Sequence, residues 1–185
     1  MNSTRLYASL NALKSYANDT NVMFGVQARD RLALETLYLT YYGPLARFLS
    51  RVVAHTGAAD EIINDTFMTI WNSAKEFCGE SSIAAWIFGI AYRTALKSIG
   101  PHPVREILPS VEIFRGRNTD IASENAYIDR LESRLNHMPL EERVTLALAY
   151  QMGFSIDEIS EITQVAPATV RVRMLQVRTR LRDKT

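Results

Sequence analysis

The chain of 185 residues has a single cysteine, Cys78. One cysteine excludes an internal disulfide framework and a cysteine-cluster zinc site. Histidine is almost as scarce: His55, His102 and His137 are scattered and lack the spacing of metal ligands. No glycine-rich phosphate loop and no H-E-x-x-H pattern occurs. The longest apolar run, Ile83 to Tyr92, is too short to span a bilayer and is interrupted by Gly89. The first residues, MNSTRLYASLNALKSYAND, lack the apolar core and cleavage site of a secretory signal, so the expectation is a cytoplasmic protein without membrane insertion. No run of alternating residues argues for a strand, and no internal repeat is present. These absences leave no catalytic residue, metal ligand or cofactor to assign.

What is present is helical pattern and segregated charge. Hydrophobic residues make up 47% of the chain, enough for real cores, and the net charge is only +1. The last stretch is nevertheless cationic, with Arg171, Arg173, Arg178, Arg180, Arg182 and Lys184 against Asp183 alone. The residues before it, from Gly153, spell a helix-turn-helix. Ser155 followed by Glu158 is a capping-box pattern that starts a helix. Ile156, Ile159 and Ile162 give that helix an apolar face. Gln164, Val165 and Ala166 form the turn, and Pro167 suits the first position of the second helix, where its missing N–H costs nothing. At about 100° per residue, Val170, Met174, Val177 and Leu181 share one inward stripe. The opposite side carries Thr169, Val172, Gln176 and Thr179, with Arg173 and Arg180 on one flank and Arg171, Arg178 and Arg182 on the other. Small and polar groups between cations suit a helix in a major groove, its middle touching bases and its edges holding phosphates.

The upstream chain divides by composition. Residues 1–20 are a polar extension with a break at Asn18–Asn21. Helical spacing then runs to Val53, through Leu34, Leu37, Tyr38, Tyr41 and Tyr42 and again through Leu45, Phe48, Leu49 and Val52, with Gly43-Pro44 expected to kink or turn the chain. Asp60 is read as the cap of a helix to Lys75. Ile63, Thr66, Phe67, Ile70 and Trp71 lie on its inner face; Glu61, Asn64, Asp65 and Met68 form an outward, acidic docking surface. A small loop, Phe77 to Ser82, precedes a helix from Ile83 to Ser98. Its inward residues are Ile83, Trp86, Ile87, Ile90 and Leu96, and its outward ones Tyr92, Arg93 and Lys97. Prolines 101, 103 and 109 and Gly116 mark a linker over 100–124. Two further helices follow, Ala126 to Leu135 and one opened by Pro139 that runs through Tyr150. The fold class is therefore all-α: two small helical domains joined by a flexible linker, the second ending in the helix-turn-helix.

The order D-E-I-I-N-D-T-F-M-T-I-W (60–71), F-C-G-E-S-S (77–82), I-A-A-W-I-F-G-I-A-Y-R-T-A-L (83–96), linker, M-P-L-E-E-R (138–143) and helix-turn-helix resembles the bacterial extracytoplasmic-function sigma factors. These carry only sigma domains two and four. The resemblance implies a subunit, not an enzyme, that directs RNA polymerase core to promoters and assists promoter melting. It implies domain two over 21–99, the linker over 100–124 and domain four over 125–185. Glu61, Asn64, Asp65 and Met68 would meet the clamp helices of the largest polymerase subunit. Phe77, Ser81, Ser82, Trp86, Arg93 and Lys97 would capture the unpaired −10 strand, which needs stacking and a flipped base. Thr169, Arg171, Val172, Arg173, Gln176, Arg178 and Arg180 would read the −35 element. An anti-sigma factor is the implied regulatory partner. Cys78 stands where the family usually has a basic residue, and Ile83-Ala84-Ala85 where it usually has an aromatic and a basic one, so the −10 side is poor in cations. The residues alone also fit a two-domain helix-turn-helix regulator not tied to core polymerase, or a helical protein–protein adaptor.

Overall fold

The computed structural model describes residues 19–53, 56–99 and 138–182, and among them there is no strand. The linker over 100–124, the helix expected over 126–135, and all of the 1–20 extension except Asp19 and Thr20 lie outside the described residues.

Residues 19–27 (α1) are helical, so the expected break at Asn18–Asn21 does not interrupt residues 19–21. Asp19 is buried and its carboxylate accepts from the Tyr41 hydroxyl at 2.7 Å, which ties α1 to the next helix. The chain turns at Arg29, whose φ is +66°, and Asp30 caps α2 (Arg31–Leu49) by accepting from the Leu32 N–H at 2.9 Å. Helix α2 passes through Gly43-Pro44 without ending. An interior proline costs about 3 kcal/mol or more; burial of Leu37, Tyr41, Leu45, Phe48 and Leu49 along the same helix offsets it. Helix α3 (Thr56–Ser73) begins before Asp60, which is not its cap. The Asp60 carboxylate instead accepts from the Tyr42 hydroxyl at 2.8 Å. Ile63, Thr66, Phe67 and Ile70 face the core and Trp71 is half-buried, as the spacing indicated; Ile62 is buried beside them.

After a 3₁₀ turn, Ala74–Glu76, and a loop, α4 (Ile83–Ile99) is the central helix. It is buried around most of its circumference: Ile83, Ala85, Ile87, Phe88, Gly89, Ile90, Ala91, Tyr92 and Ala95 are all inside. Two expectations fail there. Tyr92 is buried rather than outward, and Leu96 is exposed rather than inward. The cause is a second covering layer. Helices α2 and α3 pack on α4, and so does a later helix, Ile156–Thr163.

That layer comes from the C-terminal unit. Helix α5 (Leu140–Leu146) follows Pro139 and continues as a π-type turn, Ala147–Gln151. Gly153, with φ +78°, redirects the chain to α6 (Ile156–Thr163). The capping box is formed: Ser155 accepts from the Glu158 N–H, and Glu158 accepts from the Ser155 N–H at 2.9 Å. Gln164 takes the left-handed conformation at φ +56°, and α7 (Pro167–Arg182) begins at the proline. The two units share one apolar cluster. The Phe88 ring lies 5.4 Å from Phe48 on α2 and 5.1 Å from Phe154 before α6, so it joins the N-terminal and C-terminal cores.

Candidate functional site

Three surfaces stand out, each set by an element already described. The first is the outer face of α3. Glu61, Asn64, Asp65 and Met68 are all exposed, Met68 to 60%, because Ile63, Phe67 and Ile70 occupy the opposite stripe. Beside Met68 runs a groove of about 440 Å³ between α2 and α3, walled by Leu34, Tyr38, Phe67 and Trp71, with Arg31 and Glu35 at its rim. Tyr38 and Phe67 hold their rings 4.8 Å apart beneath it. Arg29 lies over the Trp71 ring at 5.2 Å and donates to the Trp71 carbonyl, which fixes the far end of α3 against the α1–α2 turn. Leu32 and Leu39 on α2 are each 71% exposed, so apolar surface extends beyond the four residues chosen from sequence.

The second surface is the loop before α4. Phe77, Ser81 and Ser82 line a cleft of about 320 Å³ together with Thr20, Phe24 and Gln27 of α1. Gln27 holds the loop: its side-chain amide donates to the Ala74 carbonyl at 3.1 Å and to the Phe77 carbonyl at 3.0 Å. Ser82 caps α4 by accepting from the Ala85 N–H at 3.1 Å. Trp86 is half-buried with its ring 5.2 Å from Phe77, so it backs the loop and presents only part of its face. Gly79 has φ +80° and open space around it, which lets the loop turn where an L side chain would be strained. Arg93 and Lys97 are exposed but sit on later turns of α4 than the cleft-lining residues. The Arg93 guanidinium lies beside Gly89, 3.1 Å from where a Cβ there would stand. Sequence reasoning missed Phe24 and Gln27. Their signal was their i, i+3 spacing on one helix face, ahead of the Leu34 at which the helical spacing was first marked.

The third surface is α7. Val170 and Val177 are buried and Met174 and Leu181 half-buried, so the inward stripe is as the spacing indicated. Thr169, Arg171, Val172, Gln176, Arg178, Thr179 and Arg180 are exposed, while Arg173 is half-buried. Two arginines are tied to α5 and its extension. Arg180 Nε lies 2.9 Å from Glu142 Oε2, pairing a side chain 55% exposed with one only 7% exposed. Arg178 Nε donates to the Tyr150 hydroxyl at 3.0 Å. Arg173 reaches toward α4. Burial pushes the Tyr92 hydroxyl above its ordinary range; the Arg173 charge works against that rise, and the Glu141 charge adds to it. Among the described residues no group of histidine, cysteine or carboxylate side chains could hold a metal ion, and no helix is long and apolar enough to cross a membrane.

Two family models match, together covering well over half of the chain: Sigma-70 region 2 over residues 37–100 and Sigma-70 region 4 over residues 128–181. The ECF RNA polymerase sigma-E factor of Haemophilus influenzae is 25% identical, over 86% of this chain and 90% of the relative. The RNA polymerase sigma-H factor of Pseudomonas aeruginosa is 27% identical over the same shares of the two chains. Two solved structures share the fold. CnrH in complex with the cytosolic domain of CnrY has a TM-score of 0.65 at 18% identity, covering 88% of this chain and 94% of that one. RpoE in complex with the anti-sigma factor NepR from Bartonella quintana has a TM-score of 0.63 at 21% identity, covering 80% and 94%. The chain belongs to the sigma-70 family, in its extracytoplasmic-function group. It is a sigma factor, which binds RNA polymerase core and promoter DNA and initiates transcription at specific promoters.

Proposed function

We propose how the three surfaces divide that work. The chain comprises an extension over 1–20, domain two over 21–99, a linker over 100–124 and domain four over 125–185. Glu61, Asn64, Asp65 and Met68 dock on the clamp helices of the polymerase, with the adjoining groove taking an apolar side chain. Phe77, Ser81 and Ser82 receive a base flipped from the non-template strand at the −10 element, and Trp86 stiffens that loop from behind. Arg93 and Lys97 run alongside the strand's phosphates. Thr169, Val172 and Gln176 read −35 base edges, while Arg171, Arg173, Arg178 and Arg180 hold the backbone.

The observation that carries this reading is α7. Its apolar stripe, led by Val170 and Val177, packs on its own domain, and the outward side presents Thr169, Val172, Gln176 and Thr179 among exposed arginines. The protein does no chemistry itself; the polymerase makes the RNA, and the chain supplies address and strand capture in the cytoplasm. Two structural relatives are complexes, one with an anti-sigma factor and one with a cytosolic domain of a second protein. That pattern supports an anti-sigma factor as the regulatory partner here. Purified chain and core polymerase, incubated with a random promoter library, are expected to give run-off transcripts enriched for one spaced pair of elements. Transcripts without enrichment would refute the division of roles.

A further inference from the structure

We propose that Gln27, the last residue of α1, decides which base the −10 cleft accepts. Its amide nitrogen holds the loop, and its amide oxygen takes a hydrogen bond from an exocyclic amine of the flipped base. The inference rests on the reading of Phe77 to Ser82 as the base-capturing loop and adds the residue, on another helix, that selects the base.

The partners of the amide set its orientation. One terminal atom of Gln27 lies 3.1 Å from the Ala74 carbonyl oxygen and 3.0 Å from that of Phe77. Two carbonyl acceptors identify that atom as the nitrogen, and they use both of its hydrogens. The Ala74 carbonyl also accepts from the Phe77 N–H at 3.2 Å, so the amide grips both ends of one turn. Arg29, two residues on, holds the end of α3 through Trp71. What remains to Gln27 is Oε1, which can only accept. Among the described residues no group donates to it, and Gln27 is half-buried in the cleft wall.

The rest of the cleft makes that oxygen the selective group. Met23 and Ile83 are buried and apolar, and the exposed Phe24 ring and Phe77 offer faces on which any base can stack. The Ser81 hydroxyl and the Cys78 thiol can rotate to donate or to accept. Gln27 Oε1 cannot change its role. The Ala74 and Phe77 carbonyl oxygens lie at the same amide, so this wall is rich in acceptors. Cytosine, adenine and guanine each bring an amine to it. Thymine brings a ring N–H flanked by two carbonyl oxygens, which would set oxygen against oxygen. An acceptor covered by a base that cannot donate to it carries the penalty that rejects that base.

The test uses the full chain bound to core polymerase and the promoter recovered from the random library, as a duplex whose non-template strand is unpaired across the −10 element. Each base of that strand is replaced in turn by an abasic site. Each amine is then removed in turn, with 2-pyrimidinone for cytosine, purine for adenine and hypoxanthine for guanine. At the position where an abasic site weakens binding most, amine removal is expected to lower the parent's affinity about tenfold, and thymine at least as much. Gln27→Met keeps the side chain's length and replaces the amide with a thioether that is only a weak acceptor. In that variant the same replacement is expected to change affinity less than about twofold, however much the loosened loop weakens binding as a whole. Amine removal without effect in the parent, an equal effect in Gln27→Met, or thymine preferred at that position would overturn the inference. The parent's own response decides the matter if the variant does not fold. Abasic sites tolerated throughout would refute base capture itself, and the inference with it. An abasic effect without an amine effect would refute only the role given to Gln27.

Discussion

Replacing Ser155 with alanine tests how far the two units act as one body. Helix α6 has eight residues, too few to persist in water without its cap and its packing. The substitution removes the acceptor for the Glu158 N–H, a bond of 3.2 Å, and leaves the reciprocal bond from the Ser155 N–H to the Glu158 carboxylate available. Losing an N-cap of this kind costs about 1 kcal/mol. How that cost reads out depends on the size of the cooperative unit. If the C-terminal unit melts alone, Tm falls by about 4–8 °C; if the chain unfolds as one larger unit, it falls by about 2–4 °C. The ring of Phe88, shared by both cores, argues for the second case. Scanning calorimetry of the full chain is therefore expected to show one transition, lowered by the smaller amount. Ser155→Gly, which costs a few tenths of a kcal/mol, should fall between the parent and the alanine variant. Two resolved transitions, of which only one moves, would refute the shared core. No shift at all would refute the cap.

The other predictions address the surfaces. Gln176→Ala is expected to change base preference at the −35 element, whereas Arg178→Ala should weaken all sequences about equally; selection from a randomised duplex library measures both. Asp65→Lys with Met68→Ala should lower affinity for core polymerase in a pull-down while leaving the unfolding free energy within about 0.5 kcal/mol of the parent's, since both side chains are exposed. Tyr92 supplies a pH dependence. Burial raises its pKa, so the folded state keeps the proton where the unfolded chain, near pH 10, releases it. That contribution is intact below the unfolded value and is lost as pH rises through the folded one. Stability should fall more steeply above pH 10 in the parent than in Tyr92→Phe, as followed by urea titration.

Much of this was legible in the residues. Ser155 and Glu158, Pro167 and the Val170 to Leu181 stripe set out the helix-turn-helix because capping and periodicity are local effects. The outward face of α3 was legible for the same reason. The misplaced residues each depended on something distant. Tyr92 carries a polar hydroxyl that suggests an outward position, but Ile83 to Tyr92 is apolar on every side, the pattern of a helix covered all round. Asp60 has a capping residue's chemistry, but α3 starts at Thr56 and Tyr42 uses the carboxylate instead. Gly43-Pro44 carries a turn signal that burial of Tyr41 and Leu45 overrides. In the candidate site, the pairing of one Arg180 nitrogen with a nearly buried Glu142 on another helix was not legible either. No spacing rule links positions 142 and 180.

The glycine in the middle of α4 has a practical consequence for anyone dividing this protein. A fragment ending at Ile99 would keep Phe48 and lose Phe154, leaving a strip from Phe88 through Gly89 to Tyr92 facing water. Such a fragment is expected to self-associate or to cling to detergents and column resins. Its behaviour would then report the stickiness of an uncovered helix rather than the −10 chemistry for which it was made.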